Sequence, residues 1–316
     1  MIPLLLAAAV SIATLTEREL SIGGPMGALK GTLVNATAPE SPVVLVIPGS
    51  GPTDRDGNSP LGVRASTYRL LAEELAVRGI SSARIDKRGM FASAAAIPDP
   101  NVVSIEDYVS DVHAWIDSLR STTGRPCVWL LGHSEGGLVA LAAAQSGEGI
   151  CGLVLAATPG RPLGDLLREQ LRANPNNAPL LSEAEKIIES LEAGQRVDVS
   201  NIPGPLATLF RPEVQGFLIG AFILDPQKLA AKIDKPILII QGDRDLQIDP
   251  EHARTLKAAA PKAKEVILPN VNHVLKSVST DDYQANIATY GDPDMPLADG
   301  VADIVADFIR SCQQRT

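Results

Sequence analysis

Val128-Trp129-Leu130-Leu131-Gly132-His133-Ser134-Glu135-Gly136 joins an apolar run to the pattern G-x-S-x-G, and Leu138-Val139-Ala140-Leu141-Ala142-Ala143-Ala144 follows it. The first four residues read as a strand and the last seven as a helix, so Ser134 falls where the chain must turn sharply from one to the other. Small residues on both flanks suit that bend. Gly132 and Gly136 let neighbouring backbone approach a serine held in a strained conformation with its hydroxyl exposed. The stretch reads as a nucleophile elbow; the alternative is a glycine-rich turn carrying an ordinary serine.

Outward from the elbow the same alternation recurs. Upstream, strand-like segments over 17–23 and 28–34 flank Gly23-Gly24-Pro25 and read as a hairpin. Val43-Val44-Leu45-Val46-Ile47 is continuously apolar, as a strand buried on both faces must be, and ends in Pro48-Gly49-Ser50-Gly51-Pro52. A helix over 68–78, a strand over 82–85, the turn Asp86-Lys87-Arg88-Gly89 and a helix over 104–119 lead back to the elbow strand. Downstream come a strand over 153–157, then Pro236-Ile237-Leu238-Ile239-Ile240-Gln241, a helix over 250–260, a strand over 265–268 and a final helix over 297–310. Strands alternating with helices imply a mostly parallel sheet covered on both faces, with ligand chemistry at the carboxyl ends of its strands.

Between residues 158 and 225 the alternation stops. Helical segments over 165–172, 182–192 and 214–223 are separated by prolines, and some 65 residues exceed what a crossover needs. This stretch reads as a helical cap insertion, 158–225, in a core domain made of 16–157 and 226–316. Phe210, Phe217 and Phe222 are its candidate substrate-lining residues, unless they are simply helix core.

Composition narrows the partners. Apolar residues make up 45% of the 316, aromatics only 3%, and the net charge is -9 without a basic run. A core built mainly from Ala, Leu, Ile and Val suits strand-and-helix layers, and the charge opposes nucleic-acid binding. Residues 1–13 are apolar and carry no charged side chain. They are too short to span a bilayer and resemble the apolar region of a secretory signal without its basic flank, so 1–15 reads as a signal peptide. The expected location is then periplasmic or secreted, with the cytoplasm as the alternative. The mature protein is expected to have no membrane span; its oligomeric state is open.

Cys127, Cys151 and Cys312 have no metal-ligand spacing. Cys127 and Cys151 each open a strand-like run, so a bridge is geometrically available if those strands are neighbours. Without that geometry the sequence favours buried free thiols.

A serine hydroxyl needs a base, and four histidines are available. His133 is the backbone neighbour of Ser134, His113 lies inside a helix remote from the strand ends, and His252 begins a helix. His273, in a loop directly after a strand, is the best-placed base, with His252 its rival. The imidazole needs a carboxylate to fix its tautomer. Asp243, Asp245 and Asp249 all follow the strand ending at Gln241; Asp245 is best placed to turn back toward His273.

The order Ser134, Asp245, His273 resembles that of the α/β-hydrolases over nearly the whole chain. More narrowly, residues 48–58, Asp86-Lys87-Arg88-Gly89 and Asn272-His273-Val274-Leu275-Lys276 resemble the bacterial carboxylesterase branch often labelled serine aminopeptidase-like. Pro48 departs from the His that many relatives place before the glycine. The resemblance implies an α/β-hydrolase fold, an oxyanion hole made by the backbone N–H groups of Ser50 and Glu135, and no metal or organic cofactor. It implies a serine hydrolase acting on small carboxylic esters through an acyl-enzyme. Thioester hydrolysis or aminopeptidase action would use the same triad, and a non-catalytic binder of small apolar ligands is the reading from another class. Asp56, Arg55 and Arg88 are expected to brace the oxyanion loop rather than meet substrate.

Overall fold

Continuous apolar strands are explained by two cores, one on each side of a sheet. In a computed structural model, which describes residues 15–38, 40–202 and 204–313, an eight-stranded sheet has the order β1-β2-β4-β3-β5-β6-β7-β8. The strands are β1 (Thr16–Gly23), β2 (Ala28–Asn35), β3 (Val43–Ile47), β4 (Ser81–Ile85), β5 (Val128–His133), β6 (Ile150–Ala156), β7 (Ile237–Gly242) and β8 (Lys264–Leu268). β1 pairs antiparallel with β2, and β2 antiparallel with β4; from β4 to β8 every pairing is parallel. The signal-like segment lies outside the described residues.

Side chains alternate across each central strand. Val43, Leu45, Ile47, Val128, Leu130, Leu153, Leu155, Ile237 and Ile239 join one core. Val44, Val46, Trp129, Leu131, Val154, Ala156, Leu238 and Ile240 join the other. Helices cover both faces: α1 (Thr67–Val77), α2 (Ile105–Thr123) and α3 (Glu135–Ala143) in the first half of the chain. The segment after β6 carries α4 (Leu163–Ala173), α5 (Leu181–Glu192), α6 (Gly204–Leu209) and α7 (Pro212–Phe222) and contains no strand among the described residues. The remainder adds α8 (Pro226–Ala231), α9 (Pro250–Ala259), α10 (Tyr283–Ala288) and α11 (Val301–Gln313). α11 buries Val301, Ala302, Val305, Ala306, Phe308 and Ile309, the one-sided stripe of a covering helix. α2 starts with a capping box in which Ser104 accepts from Asp107 N–H and Asp107 returns the bond.

The helices between β6 and β7 have a core of their own, built from Ala184, Ile187, Ile188, Leu191, Val199, Leu206, Phe210 and Phe222. Gln215, wholly buried, stitches it by donating to the carbonyls of Phe210 and Val197 and accepting from Val197 N–H. Links to the sheet domain include His252 Nε2 to Glu169 at 2.9 Å, Arg211 to Asn101 at 2.8 Å and Gln170 Nε2, which donates to Gln247 C=O at 3.1 Å.

Cys127 and Cys151 are joined by a disulfide, with α-carbons 5.2 Å apart. The free-thiol expectation is thus corrected, because β5 and β6 are adjacent in the sheet and Val128 registers with Ile150. Closing a loop across a sequence separation of 24 stabilises the fold by about 2–4 kcal/mol. Urea unfolding with and without a reductant checks this; an unchanged midpoint would contradict it.

Candidate active site

Ser134 occupies the turn between β5 and α3 with φ 55 and ψ -125, outside the regions that L-residues prefer. The strain is held by packing that only glycine permits. A β-carbon at Gly132 would strike the backbone of Gly136, and one at Gly136 would strike the carbonyl of Ile47. Ser134 N–H is tied to Ala156 C=O on β6 at 2.9 Å.

His273 lies in the loop after β8, and its Nδ1 is 2.8 Å from Asp245 Oδ2. Asp245 sits in the loop after β7 with a fully buried side chain. Its Oδ2 also accepts from Gln241 Nε2 at 3.0 Å, and its Oδ1 accepts from the N–H groups of Gln247 at 2.8 Å and Ile248 at 2.9 Å. Burial pushes the carboxyl up, but His273 and these two N–H groups outweigh it and hold Asp245 below its ordinary value. With Nδ1 engaged, Nε2 is the nitrogen left for proton transfer. His273 and Ser134 line one cavity of about 230 Å³, together with Gly49, Ser50, Thr53, Tyr68, Gln247 and Tyr290.

The rival residues have other work. Asp243 accepts from Asn270 N–H at 2.6 Å and holds the β8 loop. Asp249 caps α9 through Glu251 N–H. His252 accepts from Gly160 N–H and faces Glu169, and His113 approaches Ser146 Oγ at 3.4 Å.

His133 is buried and joins three loops. Its Nε2 is 2.8 Å from the carbonyl of His273 and its Nδ1 is 2.9 Å from Tyr68 Oη. A carbonyl only accepts, so Nε2 carries the proton and Nδ1 accepts from the Tyr68 hydroxyl. Tyr68 Oη in turn accepts from Gly49 N–H at 3.0 Å. The sequence does not disclose this relay, because Tyr68 is 65 residues from His133. Burial, then the neighbouring His273, push the His133 imidazole from 6.5 down to about 3. The unfolded chain therefore takes up a proton that the folded one refuses. The stability this group contributes is complete above pH 6.5 and is lost as pH falls from 6.5 toward 3. Between pH 7 and 4.5 the loss amounts to about 2–3 kcal/mol. Urea unfolding at the two pH values should show it in the wild type and a shallower loss in His133→Gln; equal losses in both would contradict it.

Ser50 follows Gly49 in the β3 loop, and Glu135 opens α3. The first N–H groups of a helix lack intrahelical partners, which leaves Glu135 N–H able to serve a ligand. The Glu135 side chain lies elsewhere, in a small cavity of about 20 Å³ beside Lys87, Tyr108 and Trp115. Burial raises this carboxyl, opposed by Lys87.

The charged residues around the β3 loop form ion pairs. Arg55 binds Asp86 at 2.7 Å and Glu19 at 2.9 Å, and Arg84 joins Asp56 and Glu17. Arg88 grips Asp111 at 2.6 Å and Asp107 at 2.7 Å on α2. The phenylalanines expected to line a substrate pocket are not among the residues lining the Ser134 cavity. Phe210 and Phe222 are buried in the core of the α4–α7 segment, and Phe217 packs edge-on against Tyr108. Phe210 and Phe222 turn into the segment's own core and Phe217 turns onto α2, directions their spacing left open. Among the described residues no group of three or more His, Cys, Asp or Glu side chains is arranged to hold a metal, and no helix is long and apolar enough to cross a membrane.

Residues 61–200 match the family described as "Serine aminopeptidase, S33". The fold is similar to that of Est1E from Butyrivibrio proteoclasticus with ferulic acid bound: TM-score 0.59, 17% identity, 93% of this chain and 99% of that one. A thermophilic esterase from Thermogutta terrifontis, malate bound, gives 0.57 and 19% over 93% of this chain and 99% of that one. A Pyrococcus furiosus esterase gives 0.59 and 15% over 94% and 91%. A comparison with curated proteins finds no match. The mostly parallel eight-stranded sheet with helices on both faces is the α/β-hydrolase fold.

Proposed function

We propose that this α/β-hydrolase cleaves small carboxylic esters through an acyl-enzyme, with Ser134 as nucleophile, His273 as base and Asp245 as the carboxylate that orients it. The observation that carries the reading is the Asp245–His273 hydrogen bond behind a cavity that His273 shares with the strained Ser134. As Ser134 Oγ bonds to the ester carbonyl carbon, His273 Nε2 takes its proton, and the carbonyl electrons move to an oxygen facing Ser50 and Glu135 N–H. Collapse of the tetrahedral intermediate breaks the bond to the alcohol oxygen, which leaves with the proton from His273. Water then repeats the sequence on the acyl-enzyme, returning the acid and free Ser134.

The family description names an aminopeptidase, but a substrate with a free ammonium calls for a carboxylate in the site. No Asp or Glu is among the residues lining the cavity. Glu135 faces Lys87, and Glu213 is exposed on α7. An uncharged acyl group fits the lining, and a volume below the usual ~300–1,000 Å³ of small-molecule sites favours a short one. The helices α4–α7 act as a cap in which Phe210 and Phe222 serve its own core while Phe217 packs on Tyr108 of α2. The Cys127–Cys151 bridge supports an oxidising compartment, periplasmic or secreted.

A panel of esters, thioesters and aminoacyl amides of graded acyl length tests the reading. The highest kcat/KM is expected for the shortest-chain esters of the panel. A preference for aminoacyl amides would overturn the esterase assignment and spare the triad.

A further inference from the structure

In the turn after β4, Asp86 and Arg88 are both absorbed by ion pairs, and Lys87 between them is not. Its ammonium is buried, with 6% of the residue exposed, and forms no salt bridge among the described residues. Its hydrogen bond is to a backbone carbonyl: Nζ donates to Gly49 C=O at 2.6 Å. Tyr108 offers its ring face 5.5 Å away, and Glu135 lines the same small cavity. Burying an ammonium is costly, so what it holds matters.

Gly49 C=O and Ser50 N–H are the two ends of one peptide unit. That unit is planar and trans, so the carbonyl and the N–H point in opposite directions. Anchoring the carbonyl on Lys87, inside the protein, aims Ser50 N–H away from Lys87, and Gly49, Ser50 and Ser134 all line the same cavity. The preceding peptide is held as well, because Gly49 N–H donates to Tyr68 Oη. A cation at the carbonyl also draws electron density through the amide and strengthens its N–H as a donor, an effect undiminished by water in a buried site.

We propose that Lys87 is a positioning residue of the oxyanion hole: by gripping Gly49 C=O it orients and polarises the peptide whose Ser50 N–H receives the negative oxygen of the tetrahedral intermediate. This rests on the reading of Ser134 as a nucleophile with Ser50 N–H beside it. An aligned donor matters far more to the transition state than to bound substrate.

The test is kinetic. Lys87→Met should lower kcat for a short-chain ester by about 10- to 100-fold with KM changed less than about threefold. Inhibition by a trifluoromethyl ketone of the same acyl length, whose adduct with Ser134 carries the oxyanion, should weaken by the same factor. Lys87→Gln, which keeps an uncharged donor, should fall between the two and serves if Lys87→Met does not fold. Wild-type kcat in either folded variant, or a lowered kcat with unchanged ketone affinity, overturns the proposal. Fluorophosphonate labelling separates the two levels. If wild type is labelled at Ser134 while Lys87→Met or Lys87→Gln hydrolyses at the wild-type rate, only the Lys87 proposal falls. If Ser134 is not labelled in wild type, the nucleophile reading falls and Lys87 with it.

Discussion

Replacing Ser134 by alanine is expected to lower kcat/KM for a short-chain ester by roughly 10⁴- to 10⁶-fold. The change deletes one oxygen. Both residues carry a β-carbon, so the strain at φ 55 is carried alike, and Gly132 and Gly136 still admit the close packing of β5, α3 and β3. Ser134 N–H keeps its bond to Ala156. The thermal midpoint should therefore move little while the chemistry stops. What remains comes from Ser50, Glu135 and substrate binding, acting on a water instead of a nucleophile. A loss below about tenfold at unchanged stability would mean that another group forms the covalent bond.

The second large effect belongs to Asp245→Asn, expected to cost about 10⁴-fold in kcat at neutral pH. Backbone N–H groups of Gln247 and Ile248 already point at one oxygen, so the asparagine carbonyl settles there. Its NH₂ then faces His273 Nδ1, where the carboxylate had accepted a hydrogen bond. An NH₂ donating to Nδ1 places the imidazole proton on Nε2, and the base can no longer take one from Ser134. Gln241 Nε2, which donates to Asp245 Oδ2, would meet a donor in its turn, although it retains the carbonyl of Ile248. Steady-state kinetics with circular dichroism checks that the fold persists. A decrease below tenfold would remove Asp245 from the triad.

Val43 to Ile47 and Ile237 to Ile240 were legible because burial on both faces leaves them without polar side chains, whereas β4 buries Ser81, Ser82 and Arg84 as well. The segment between β6 and β7 was legible as helical through its prolines and spacing. Short helices such as α6, α8 and α10, each of six residues, were not, since six residues give too little periodicity. The elbow motif and the placement of Asp245 and His273 in loops directly after strands pointed to Ser134, Asp245 and His273. The sequence could not say which way Phe210, Phe217 and Phe222 turn, because a helix that packs on its neighbours and one that lines a pocket share a spacing. The same holds for contacts between distant loops. The bridge from Cys127 to Cys151 depends on β5 pairing with β6, the relay through His133 on α1 delivering Tyr68 to the elbow, and the hold of Lys87 on Gly49 on β3 and β4 lying side by side.

The most direct test of the central claim is treatment of the folded protein with a fluorophosphonate, followed by peptide mapping by mass spectrometry. A single adduct on Ser134, absent from Ser134→Ala and slowed in His273→Ala, is the predicted result. Adduct on another residue, or equal labelling of wild type and Ser134→Ala, would contradict it.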